Sequence, residues 1–291
     1  EGEVTKLLEA LMSPDKTMRR AARDGLHAIG HFVLPRLLEK FPGPIAIDPF
    51  APNAVLPPFA ECGEMLSILA AFALDAHPYV VRRLDAPEAS ARFFATYFYA
   101  VVFVPDAIPK LVQRLHDEQP RVCMLAARTL FSYREVPEFQ VVIDHLHGRL
   151  DATSIAARRH AAYLIGLFRD VTAIPILISI FDRKEKLLFD AAEGALAEIT
   201  KQKFGPNPKK WRTWWAKNQK RSRIAWLVEG LSSKEAVLRR SAADELRAVT
   251  GIDLGYSEDA PRKQREDARL RWVKWWSEQE SRSGSSAGLR G

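Results

Sequence analysis

One spacing of apolar positions returns seven times along this chain. A Pro, Thr or Ala is followed two residues later by an apolar residue and six later by another. The copies are Thr5/Leu7/Leu11, Pro35/Leu37/Phe41, Pro78/Val80/Leu84, Pro109/Leu111/Leu115, Pro137/Phe139/Ile143, Pro175/Leu177/Phe181 and Ala225/Leu227/Leu231. Pro35 and Pro175 lie 140 residues and four intervals apart, a mean period of 35. Periods of about 20–50 residues signal stacked supersecondary units, none able to bury its apolar face alone.

Each copy predicts a first helix. Proline suits its opening turn, where the missing N–H has no intrahelical partner to lose. The two apolar positions then share one helical face. A second helix follows, centred on small residues: Ala21-Ala22, Ala126-Ala127, Ala161-Ala162, Ala191-Ala192 and Ala242-Ala243, with Ala95 in the third copy. Small side chains there let helices approach closely. Ser13-Pro14-Asp15, Asp151-Ala152-Thr153 and Ser232-Ser233-Lys234-Glu235 read as helix starts, and Gly30 and Gly251 as helix ends.

Two recurring phrases add a family resemblance. Ala-Ile-Pro-x-Leu opens first helices at 107–111 and 173–177. An Arg-Arg pair just ahead of Ala-Ala marks second helices at 19–22, 158–162 and 239–243. With these the chain resembles the HEAT-repeat family, in particular its short bacterial variety related to phycobilisome-lyase HEAT-like repeats. The resemblance covers nearly the whole chain. It implies an all-α, curved α-solenoid of about seven helix pairs, over residues 1–280. Members of the family serve as scaffolds, adaptors and occasionally enzymes, so no active site is carried over. Arg19, Arg20, Arg158, Arg159, Arg239 and Arg240 admit two readings, an inter-repeat ladder to acids or carbonyls, or a basic groove for phosphates.

The register breaks twice. Residues 42–58 hold Pro42, Pro44, Pro49, Pro52, Pro57 and Pro58, a density that excludes regular helix. This insertion is expected to cover or extend a binding face, with Phe50, Val55, Leu56 and Phe59 folding back. Nearer the C-terminus, W-x-x-W-W occurs twice, as Trp211/Trp214/Trp215 and Trp272/Trp275/Trp276, in appendages at 204–220 and 255–279. Spacings of three and four place each set on one side of a short added helix, reading as a clamp that seals the apolar end of the array.

Charge changes the picture around the first appendage only. The chain has a net charge of +7, and residues 201–291 carry 21 Lys and Arg against 11 Asp and Glu. Lys201, Lys203, Lys209, Lys210, Arg212, Lys217, Lys220, Arg221 and Arg223 form a run without an acid. Basic residues among aromatics can neutralise phosphates and stack on bases, so this run is the candidate contact for an anionic partner, nucleic acid or acidic protein. The second appendage has the same tryptophans amid mixed charges.

Little else points to chemistry. Cys62 and Cys123 sit in apolar patterns without CxxC spacing and read as small core residues, which suits a cytoplasmic, reducing setting. His27/His31 and Asp144-His145-Leu146-His147 lack the partners of a metal site, and no phosphate-binding glycine loop or nucleophile elbow occurs, so neither metal nor cofactor is expected. The longest apolar run, 93–104, is too short to span a membrane and reads as a helix buried on nearly all sides. The chain opens on Glu1, which fits a fragment of a larger polypeptide or a form whose targeting segment is gone. From residue 281 a polar tail is expected to be flexible. Together these residues predict a non-catalytic scaffold for a protein partner. The alternative is sequence-nonspecific nucleic-acid binding through 201–223. A HEAT-like DNA glycosylase is the enzymatic alternative, for which no catalytic Asp can be nominated.

Overall fold

A computed structural model describes residues 2–287, with side chains to residue 281. Among these residues all regular structure is helical. The helices group into two compact units, which meet between His145 and Leu146, where the sequence predicts one array from 1 to 280. The first unit holds α1 (Gly2–Leu11), α2 (Lys16–Ile29), α3 (Leu34–Leu37), α4 (Glu64–Phe72), α5 (His77–Arg83), α6 (Ala89–Val101), α7 (Ile108–Arg114) and α8 (Pro120–Ser132). The boundary falls inside α9 (Gln140–Arg149). The second unit continues with α10 (Ile155–Phe168), α11 (Ile174–Asp182), α12 (Phe189–Thr200), α13 (Pro208–Asn218), α14 (Arg223–Gly230), α15 (Ala236–Thr250) and α16 (Arg262–Ala287).

The periodic residues do the packing. Pro35, Pro78, Pro109 and Pro175 stand in the first turns of α3, α5, α7 and α11. Of the fourteen spaced apolar positions, eleven are buried; only Leu7, Phe41 and Ile143 are half-buried. In the fifth copy a short 3-10 turn at Pro137–Phe139 shifts the phase, and Val142, Leu146 and Leu150 take the inward positions instead of Ile143. First and second helices pack as pairs, α5 with α6, α7 with α8, α11 with α12, α14 with α15. Second helices lie against each other, α6 on α8 and α10 on α12. Gly166 of α10 shows how closely: a Cβ there would sit 2.9 Å from the Ala195 Cα of α12.

Arginines tie the pairs together in a recurrent way. Arg19, Arg92 and Arg239 each donate from Nη1 to the carbonyls six and five residues earlier, at the end of the preceding connection. Arg92 then reaches the following pair, gripping Asp117 with both arms of its guanidinium (2.7 and 2.9 Å). Arg158 reaches Glu185 with one arm while its Nε donates to the Leu150 carbonyl, Arg20 lies near Glu64, Arg159 donates to the Leu187 carbonyl, and Arg240 pairs with Glu258. All six signature arginines are thus engaged with acids or carbonyls, which removes them from any free basic groove. Arg92, outside the Arg-Arg motif, is the best-buried member of the set.

Asp117 gives this ladder a pH signature. Burial alone would raise its carboxyl, but the Arg92 fork, the Gln119 N–H and the Arg114 charge hold it below the usual carboxylate range. A carboxyl depressed in the fold stabilises fully above its unfolded pKa, and the contribution is lost progressively below about pH 5. Asp117→Asn should therefore cost on the order of 3 kcal/mol at neutral pH, because the buried Arg92 loses the charge of its two-armed partner and keeps only the exposed Glu118. Urea unfolding at pH 7 and at pH 3.5 should show a smaller acid loss in the variant than in the parent; parallel losses would remove Asp117 from the account.

Several expectations are corrected. The 93–104 run is not buried all round: α6 stops at Val101, and Val101 and Phe103 are exposed. In the Pro-rich insertion Phe59 is buried and Phe50 meets Phe93 edge-on, but Val55 projects into solvent, 82% exposed. The second helix start lies one residue beyond Thr153, where Ser154 caps α10. The tail expected from residue 281 continues as helix to Ala287, its remainder lying outside the described residues. Residues Glu64–Arg83, though interrupted by Asp75 and His77, are long and apolar enough by length and composition alone to cross a membrane. That stretch breaks at Ala73, whose φ is +43°, and Met65, Leu66, Ile68, Leu69 and Val80 face the core.

Candidate functional site

The first W-x-x-W-W helix, α13, is built on its own caps. The Asn207 side chain accepts from the Lys210 N–H at 3.0 Å and Pro208 follows, both favourable at a helix start. Its three tryptophans face inward. Trp211 is fully buried, packs edge-on against Phe204 (4.8 Å) and donates to the Gly205 carbonyl at 2.9 Å. Trp214 and the half-buried Trp215 close on Trp226 of α14, at 5.2 and 6.0 Å between ring centres. Trp226 in turn donates to the Asn218 carbonyl at the end of α13. The seventh tryptophan, outside both motifs, is the anvil on which the first appendage closes.

The second appendage closes differently. Trp272 of α16 is buried with Leu227, Leu231, Ala242, Ala243, Leu246 and Tyr256, and Trp275 packs against that cluster. Trp275 and Trp276 are half-buried and tilt against each other at 6.2 Å.

The nine basic residues do not form one surface. Lys201 is fully buried at the left-handed end of α12 (φ +58°). Its Nζ lies 2.7 Å from Glu198, 2.8 Å from Ser241 and 3.4 Å from Glu245. Glu245, itself buried, also receives both arms of Arg223 (2.8 and 3.0 Å) and the Arg169 charge at 3.2 Å. Burial pushes the Lys201 ammonium down, against the pull of Glu198 and Glu245. Burial would raise Glu245, but Arg223, Lys201 and Arg169 hold it below the carboxylate range. Gly230 of α14 makes room for this network: a Cβ there would meet the Lys201 Cβ at 2.6 Å. Lys201 and Arg223 are thus structural and leave the anion-binding set.

Three more of the nine are answered by acids from elsewhere in the chain. Lys203 lies 3.5 Å from Glu235, Arg212 pairs with Asp182, and Arg221 with Glu229 at 2.9 Å. Lys209, Lys210, Lys217 and Lys220 remain exposed and make no ion pair among the described residues. Three of these four, Lys209, Lys210 and Lys217, line a groove of about 830 Å³ whose apolar walls include Phe204 and Trp214. Trp214 is 7% exposed, and its indole N–H is shielded without an acceptor. The Arg221–Glu229 pair also lines the groove.

A second groove, about 740 Å³, lies in the first unit between the Pro-rich insertion and helices α6 and α8. The insertion is pinned there by Tyr97, which donates to the Pro57 carbonyl at 3.0 Å, and by Arg121, which donates to that of Pro49. Val55 and Met124, 82% and 68% exposed, flank it. Arg128 stands exposed on its lining without an ion pair, and the buried Thr129 hydroxyl has no partner among the described residues.

The remaining candidates for chemistry disperse. Both cysteines are free thiols raised by burial, Cys123 hydrogen-bonded to the Asp117 carbonyl. His27 stacks on Phe72, and His147 pairs with Asp170 at 2.5 Å. No group of three or more His, Cys, Asp or Glu converges on a metal-sized site among the described residues.

No protein-family model matches this chain, and no curated protein does. Among solved structures, it is similar to three engineered proteins from the Northeast Structural Genomics Consortium. One is 17% identical, with 86% of this chain and 97% of that chain covered and a TM-score of 0.33. The others are both 16% identical: one covers 94% and 78% with a TM-score of 0.38, the other 86% and 99% with 0.32. The all-helical architecture rests on the packing of the chain itself.

Proposed function

We propose that this protein is a HEAT-like α-solenoid that works without catalysis, as a scaffold holding a protein partner on its helical surfaces. The observation that carries this reading is the groove of the first unit. A loop of six prolines is held open on α6 and α8 by side chain to backbone hydrogen bonds, beside two large exposed apolar residues, Val55 and Met124. Its lining joins Leu56, Tyr97 and Leu125 to an unpaired Arg128, which suits an extended partner segment with apolar side chains and an acid. Val55→Glu with Met124→Glu should leave folding intact, since both side chains stand in solvent, and should abolish capture of such segments. Random displayed peptides carrying a photo-reactive residue, cross-linked to the whole chain and mapped by mass spectrometry, test it. Cross-links at residues 54–56 and 124–132, lost in the double variant, support the reading; a chain that captures no peptide at either groove contradicts it.

A second reading, nucleic acid on the basic segment, is favoured by the four unpaired lysines. It requires affinity for single- or double-stranded probes that collapses steeply with salt, because phosphate contacts release counterions. Against it stands the burial of Trp211 and Trp214, which keeps the indole rings of the segment largely out of reach of a stacking base.

A further inference from the structure

We infer that the groove between α13 and α14 binds an acidic segment of a protein partner, anchored by one apolar side chain. The inference rests on the scaffold reading and gives one of its partners a chemistry.

Three independent features converge on the groove. The first turn of α13 contains Lys209 and Lys210 and no acid. A helix start already carries positive potential from its unpaired N–H groups, so two cations there are poorly placed for the helix alone and well placed for an incoming anion. Lys217 adds a third charge from a later turn, and no acid among the described residues answers any of the three. Phe204 and Trp214 supply an apolar patch on the lining, and the one acid there, Glu229, is paired with Arg221. Trp214, nine-tenths buried, holds an indole donor with no acceptor. Cations around an apolar floor fit a Leu or aromatic side chain flanked by Asp or Glu. They fit a nucleic acid less well, since Trp211 is engaged by Phe204 and Gly205 and Trp214 by Trp226.

The test uses the same displayed random peptides on the whole chain and on Lys209→Glu/Lys210→Glu/Lys217→Glu. All three side chains are exposed, and acids at 209 and 210 complement the dipole of α13 while one at 217, in the last turn, opposes it, so the variant should melt close to the parent temperature. Peptides rich in Asp and Glu around an apolar residue should be selected, cross-link to residues 204–217, and bind the variant about tenfold more weakly or worse. Equal capture by the variant, or selected peptides without acids at this groove, overturns the inference. So does oligouridylate displacing the peptides and binding more tightly. Cross-links confined to the groove of the first unit would overturn this inference while leaving the scaffold reading standing.

Discussion

Glu245→Ala should destabilise the second unit by about 3–5 kcal/mol, as expected when one partner of a buried ionic network is removed. Glu245 is the meeting point of Lys201, Arg169 and Arg223, and it carries no compensating exposure to water. Without it, Lys201 keeps only Glu198 as a carboxylate, and Arg223 loses both arms of its fork. Urea unfolding of the variant reads the loss. The companion double variant Glu245→Leu/Lys201→Met should recover part of it, because the fully buried ammonium goes with its partner, while Arg223 and Arg169, partly exposed, lose theirs but keep access to water. A loss below about 1 kcal/mol, the range of surface ion pairs, would mean that water reaches the network freely.

Trp272→Ala should cost a similar amount, about 3–5 kcal/mol, through lost burial and the cavity left behind. Its ring fills the space between Leu227, Leu231, Leu246 and Tyr256, so the cluster that joins α14, α15 and α16 would be emptied at its centre. The exposed lysines of the first appendage give the contrast: Lys220→Glu should stay within about 0.5 kcal/mol of the parent. Thermal unfolding followed by tryptophan fluorescence separates the two. Equal, small effects from both substitutions would show that α16 does not depend on its tryptophan for docking.

These two sites mark what the sequence tells and where it stops. Helix starts were legible because proline and the spaced apolar residues act locally: Pro109, Leu111 and Leu115 predict α7 without reference to any distant residue. The inward set of each W-x-x-W-W motif was legible for the same reason, from helical spacing alone. The basic run misled because charge in sequence is local while neutralisation is not. Residues 201–223 contain no acid, yet Asp182, Glu198, Glu229, Glu235 and Glu245 reach five of the nine cations from α11, α12, α14, α15 and the α14–α15 connection. One signal in the sequence could have warned of this: Lys201 follows immediately on the apolar pattern of Leu196 and Ile199, where a side chain is more readily drawn inward. Trp226 and Arg92 were passed over because they lie outside the repeated motifs, although each completes one. Val55 was expected to fold back on hydrophobicity alone; its neighbours Leu56 and Phe59 take the inward positions that the loop offers.

Separating buried cations from exposed ones leaves a division of labour in the second unit. Lys201 and Arg223 hold helices together, the tryptophans clamp the appendages, and Lys209, Lys210 and Lys217 stand over a groove with no structural duty. Hydrogen–deuterium exchange on the whole chain, with and without a selected acidic peptide, tests that division most directly. The expected result is slowed exchange across residues 204–221 on adding the peptide, absent in Lys209→Glu/Lys210→Glu/Lys217→Glu. Unchanged exchange over that segment, while the peptide is bound elsewhere on the chain, would contradict it.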